Sequence, residues 1–280
     1  MPLAPLLADS GKSLPPRDAH VDRVLFGFLQ PFRAVGRIIN DRELLREATY
    51  PALLLAVVCG GIAVLTTFPG LATLRRFYQV FVFLAPLPSL LLAPSYARFA
   101  VMARVHAGGG PCRPLIEPFG LSLRRTFGQM ILIAVALAPL TLLLRWLPFI
   151  GVVLVKAVAG LWALHWIVVN AFESARVLEP DQTLADVEAL AARAPSPWFV
   201  RGLRAIGERV PALGGAARWF ASFCDRLARP WSEEIHLCEQ HPSLMIGFAI
   251  TTALLLCTPV LNLFFRPVVL VAASDVHARL

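Results

Sequence analysis

The residues of this chain that could do chemistry are charges set in apolar sequence, because a charge at membrane depth is costly and needs a partner or a role. Arg145 stands just ahead of Leu147-Pro148-Phe149-Ile150-Gly151, Lys156 follows that stretch, and Arg266 directly precedes Pro267. A tetrahedral anion in a low-dielectric site is held by guanidinium forks and by helix N-termini aimed at it. Arg266 can meet such an anion, satisfy a carbonyl left unpaired by Pro267, or snorkel. Lys156 has the same choice, whereas Arg145 is expected to snorkel. Asn262 is suited to satisfying the exposed backbone of its own turn. His165, on an apolar helix, is expected to hydrogen-bond to a neighbour rather than relay protons.

Chemistry of the soluble kind is thin. Cys238 and His241 share a helix face, but a zinc site needs four ligands and no second cluster accompanies them. Gly108-Gly109-Gly110-Pro111 lacks the Gly-Lys-Ser/Thr of a phosphate loop and reads as a turn. No Ser, His and acid arrangement is visible. An enzyme is not expected, nor is a metal or cofactor site.

The elements that must carry these residues are membrane segments. Of 280 residues, 57% are apolar and 16% charged, with a mean hydropathy of +0.67. A soluble domain carries about 45–50% and about 25%, so the excess faces lipid. This excludes a plain soluble enzyme, a disordered tail and a secreted disulfide scaffold, and the five cysteines contain no C-x-x-C. The net charge of +8 comes with only two lysines, Lys12 and Lys156. We read the arginines as membrane-orientation charges rather than a nucleic-acid surface. The first 30 residues hold no apolar core of signal-peptide length, so insertion is expected to use internal segments.

Crossing about 30 Å of hydrocarbon takes roughly 20 residues. Segment 50–68, opening at Tyr50-Pro51, meets that length, and 77–93 is a second span interrupted by Pro86 and Pro88. Two longer apolar blocks, 130–172 and 243–273, break at Pro148-Phe149-Ile150-Gly151 and Pro259-Val260-Leu261-Asn262. Arms 130–144 and 243–257 have 15 residues each and 263–273 has 11, or about 22 and about 16 Å. Such lengths point to re-entrant hairpins, with four tilted spans as the alternative. The expected fold is therefore an all-α integral membrane domain over 1–280, with two spanning helices and two hemi-penetrating hairpins. Its parts are a cytoplasmic lead-in at 1–49, two spans and the first hairpin at 50–172, a cytoplasmic amphipathic insertion at 173–242, and the second hairpin with the C-terminus at 243–280. In the insertion, Ala216, Phe220, Phe223 and Leu227 share one helical face and Arg218, Ser222, Asp225 and Arg229 another. That helix lies in the headgroup plane or packs on the protein. Basic residues crowd every long connection, while 69–76 carries only Arg75 and Arg76, which places both termini in the cytoplasm.

This order of parts resembles the CysZ family of sulfate-permease-like membrane proteins, which also contains the eukaryotic etoposide-induced protein. The residues that carry the likeness are the lead-in 26–51 ending in Tyr50-Pro51, the turn Leu147-Pro148-x-x-Gly151, and Pro259-x-Leu261-Asn262-Leu263-x-x-x-Pro267 with Ala272-Ala273-Ser274 after it. Segment 183–230 looks like an insertion. The resemblance implies a homo-oligomer in a bacterial inner membrane that passes a sulfate-like anion. The family's Gly-x-Arg turn before the first span is replaced here by Glu43, Leu44 and Leu45, followed by Arg46. Arg46, Lys156, Asn262 and Arg266 are the anion-binding candidates, with the lipid bilayer and a small inorganic anion as partners. The alternative function is a non-transporting membrane protein that organises lipid or protein partners.

Overall fold

Asp41 sets the first long apolar helix in place. Its carboxylate accepts from the Glu43 and Leu44 N–H groups at 2.9 and 3.1 Å and lies 2.8 Å from His106 Nε2. The Leu44 N–H, with help from Glu43 and His106, holds that carboxyl below its usual range. Before it runs α1 (His20–Asn40), and after it α2 (Arg42–Thr66). The helix thus begins eight residues ahead of Tyr50, and Pro51 sits within it rather than at its start. The computed structural model describes residues 14–16, 18–66, 73, 75–77, 79, 80, 92–210, 212, 214–257 and 264–280. Most of 69–93, with the prolines of the second span, and the turn 258–263 with Asn262 lie outside the described residues.

Helix α3 (Ala93–His106) leads through Gly108, at φ 84°, to β1 (Arg113–Pro114). Next come α4 (Phe119–Ala136), α5 (Ala138–Arg145) and α6 (Gly151–Ser174). Strand β2 (Val177–Leu178) then pairs antiparallel with β1, Arg113 opposite Leu178, and ties the loop before α4 to the exit of α6. The turn between α5 and α6 is tight. Phe149 has φ 63°, and a Cβ on Gly151 would lie 2.2 Å from the Leu144 carbonyl oxygen.

Among the described residues three helices are long and apolar enough to cross a membrane: α2, the run Phe119–Arg145 and α6, of 25, 27 and 24 residues. The arm before the first turn is therefore longer than the apolar count suggested. Helix propensity carries it back through Arg124 and Arg125 to Phe119, where Pro118 stops it. The arms of the second pair remain short, α11 (Pro242–Cys257) at 16 residues and α12 (Phe265–His277) at 13.

Between the pairs lie α7 (Leu184–Arg193), α8 (Trp198–Arg209), α9 (Gly214–Ala228), a 3-10 turn (Arg229–Trp231) and α10 (Ser232–Gln240). These helices pack on the apolar ones. Phe199 and Trp198 meet the Trp162 ring edge-on at 5.2 and 6.2 Å, and Phe220, Phe223 and Leu227 lie against the core. Of the two readings of α9, packing on the protein describes its apolar face.

The core is organised around α1, α11 and α12. Helices α1 and α11 run parallel at a constant offset of 223 residues, with His20 Nδ1 2.9 Å from Ser243 Oγ and Thr251 donating to the Phe28 carbonyl at 2.6 Å. Between these contacts a Cβ on Gly247 would fall 1.9 Å from the Val24 oxygen, and one on Gly27 2.0 Å from that of Leu244. Ser243, Gly247 and Thr251 are small residues four apart, the spacing that lets helix backbones touch. In α12 every residue from 267 to 276 is buried. Asp275 in that stretch accepts from Arg37 of α1 at 3.1 Å and pairs with Arg279 at 3.2 Å.

Candidate functional site

Helix α4 carries Ser122, Arg125, Thr126 and Gln129 three or four residues apart, a polar stripe on one face. Opposite it, the last turns of α6 present Asn170 and Glu173. Gln129 donates to Asn170, and the Trp162 indole N–H reaches the Ile133 carbonyl at 3.0 Å, so the two helices are pinned along the stripe. Around these side chains opens a cavity of ≈ 390 Å³, closed by Tyr96 of α3, Trp231, Arg176 and Arg266. Three arginines and two glutamates face it, Glu117 and Glu173 being the acids.

Most of these charges are spent on each other. Arg125 pairs with Glu117. Arg176 pairs with Glu234 and, at 3.0 Å, with Glu233. Burial lifts the Glu234 carboxyl to about 7 although Arg176 pulls it down. The Trp231 indole N–H interacts with Glu173 without reaching hydrogen-bond geometry.

Arg266 stands apart. It opens α12, stacks over the Tyr96 ring at 5.3 Å, and feels the Glu173 charge. Among the described residues it donates no hydrogen bond, so its planar fork faces the cavity unused. A guanidinium in this state can bind a carboxylate or tetrahedral oxyanion bidentately.

Of the anion-binding candidates among the described residues, Arg46, Lys156 and Arg266, only Arg266 lines the cavity. Arg46 is exposed, at 3.4 Å from its neighbour Glu47. Lys156 is exposed on α6 and Arg145 at the tip of α5, as a snorkelling residue would be. Asn262 lies outside the described residues. His165 differs from expectation: its Nε2 has no hydrogen-bond partner, and the ring packs among Trp162, Trp166 and Trp198. Cys238 and His241 do not join a metal cluster among the described residues. His241 Nδ1 lies 3.1 Å from Arg23 instead, and burial raises the Cys238 thiol.

Sequence reasoning missed Arg125, Glu117, Arg176, Gln129 and Asn170, and considered Glu173 only as a partner for Lys156. A signal did exist, in the helical spacing of 122, 125, 126 and 129 and in the i, i+3 pair Asn170 and Glu173. Counting Arg125 and Arg176 as orientation charges concealed it. The chain matches no protein-family model, no curated protein and no solved structure.

Proposed function

We propose that this membrane protein passes a small oxyanion of the sulfate class, with Arg266 as its principal ligand. The observation that carries this reading is the unused Arg266 fork in a polar cavity, beside hydroxyls and amides that can donate to the remaining oxygens. The resemblance to the CysZ family points to the same class of substrate. The missing glycine at Glu43, in the first turn of α2, and the exposure of Arg46 move the binding step away from that position and toward the first turn of α12.

Chain lengths support a topology in which α4–α5 and α6 cross and return. Arg125 and Arg145 are 20 residues apart, or about 30 Å, close to the hydrocarbon thickness. Trp146 and Phe149, exposed at 87% and 99%, then meet the far interface. The shorter α11 and α12 are read as the pair that stays within the protein and the near leaflet. Both termini face the cytoplasm of a bacterial inner membrane, and the unit is a homo-oligomer.

The test is uptake of radiolabelled sulfate into proteoliposomes, with phosphate and chloride as competitors. Arg266→Gln is expected to abolish uptake and Arg266→Lys to impair it, with expression and oligomer size unchanged. Normal uptake by both variants overturns the proposal. A cysteine introduced at Thr73 should label from outside with an impermeant thiol reagent, and one at Ser196 or Ala278 should not. The second reading, a partner-organising protein, is favoured by one observation: along Phe119–Arg145 only Leu132 is fully buried. Failure of uptake in the unaltered protein, with the helix covered in an isolated oligomer, would establish it.

A further inference from the structure

A second groove lies on the opposite side of α4. It has a volume of ≈ 530 Å³ and runs between α4, α7 and α9. Arg124, Arg226 and Arg229 stand at its upper end, with Glu188 as the acid on its rim. Arg229 is already engaged, donating to the Ala192 and Ala194 carbonyls and to Asp225. Arg124 and Arg226 are not. Both are exposed and neither makes an ion pair or hydrogen bond among the described residues. Below them the wall turns apolar, through Gly128 and Leu227, and opens onto Phe127 and Ile131, which are 56% and 46% exposed.

Position along α4 decides what fits. Arg124 and Arg125 are the last charges before the apolar run that ends at Arg145, so the groove straddles the boundary between headgroups and hydrocarbon. A free anion would use the arginines and leave the apolar half empty. A neutral lipid would use the apolar half and leave two cations unanswered. We propose that this groove is a binding site for an anionic phospholipid, its phosphate held by Arg124 and Arg226 and one acyl chain lying along Phe127 and Ile131. The site is separate from the anion cavity, although Arg125 and Trp231 form part of both walls. Lipid bound here would brace α9 against the face of α4 that carries Arg124, Phe127 and Ile131.

The experiment is native mass spectrometry of the full chain released from micelles, titrated with dioleoylphosphatidylglycerol, dioleoylphosphatidylcholine or inorganic phosphate. Each basic side chain at such a boundary favours anionic lipid by about fivefold, so two give a preference of about 30-fold for phosphatidylglycerol. Arg124→Gln with Arg226→Gln should remove most of that preference. Arg124→Lys with Arg226→Lys, which keeps the charge, should retain most of it. The control Arg98→Gln, an exposed arginine on α3, should leave it unchanged. Equal binding of the two lipids, a preference that survives the glutamine pair, or an equal loss in Arg98→Gln would overturn the proposal. Competition by inorganic phosphate at the affinity of the lipid would overturn it too, since the acyl chain would then contribute nothing.

Discussion

Helix α12 and the arm formed by α4 and α5 are both apolar, yet they occupy opposite environments. Along the arm only Leu132 is fully buried, the rest being exposed or half-buried, whereas α12 is covered along ten consecutive residues. The polar groups follow the cover. Asp275 and Ser274 lie inside α12 and Arg266 at its start, while past Gln129 the long arm carries no charge until Arg145. In lipid, an apolar side chain gains little by leaving the acyl chains for another helix, so association rests on close packing and hydrogen bonds. The covered helices therefore hold the fold, and the less covered arm has the apolar length that a membrane span requires.

The sharpest way to break this contrast is at the α1–α11 crossing. Gly247→Ala places a methyl against the Val24 carbonyl and should cost about 3 kcal/mol. Its unfolding midpoint in SDS titration should drop well below that of any α5 variant; an unchanged midpoint would mean that the two backbones do not touch. A pH series probes a second buried place, where Glu234 of α10 pairs with Arg176. Burial raises its folded pKa from 4.5 to about 7, so the folded protein keeps a proton that the unfolded chain releases. The contribution of Glu234 is fully present below about pH 4.5 and is lost as pH rises from there through 7, up to about 3 kcal/mol in all. Thermal melts between pH 4 and 8 should show that fall, and Glu234→Gln should flatten it; an equal slope in both proteins would assign the effect to another group.

Asp275→Asn removes the carboxylate that Arg37 and Arg279 share, and should lower stability by about 2 kcal/mol in the same SDS titration. Loss of the Thr251 hydroxyl in Thr251→Val should cost about 1 kcal/mol. The contrast is completed by Leu143→Ala on α5, 70% exposed, where a change under about 0.5 kcal/mol is expected. A cost there comparable with Gly247→Ala would show that the arm is covered by a second subunit.

Hydropathy and spacing made the apolar helices, the proline turn ahead of Gly151 and the short arms after Pro242 legible in advance. They carried less information about helix starts. Pro51 and Met130 mark where apolar sequence begins, whereas the helices run back to Arg42 and Phe119, because a helix continues through charges until a cap or a proline stops it. The parallel pairing of α1 with α11 was hidden, since a glycine announces a close approach without naming its partner. Arg266 was legible because a charge beside Pro267 in apolar sequence needs an account. Its neighbours were not, because Arg125 and Arg176 are indistinguishable by type from the orientation charges around them.

The offset of 223 residues between α1 and α11 also bears on how the protein is made. A ribosome adding about 5–20 residues per second takes about 10–45 s to travel from Val24 to Gly247. Throughout that interval α1 lacks the small-residue face of α11 against which it packs. The earliest helix thus finds this partner only after all the intervening segments have been made.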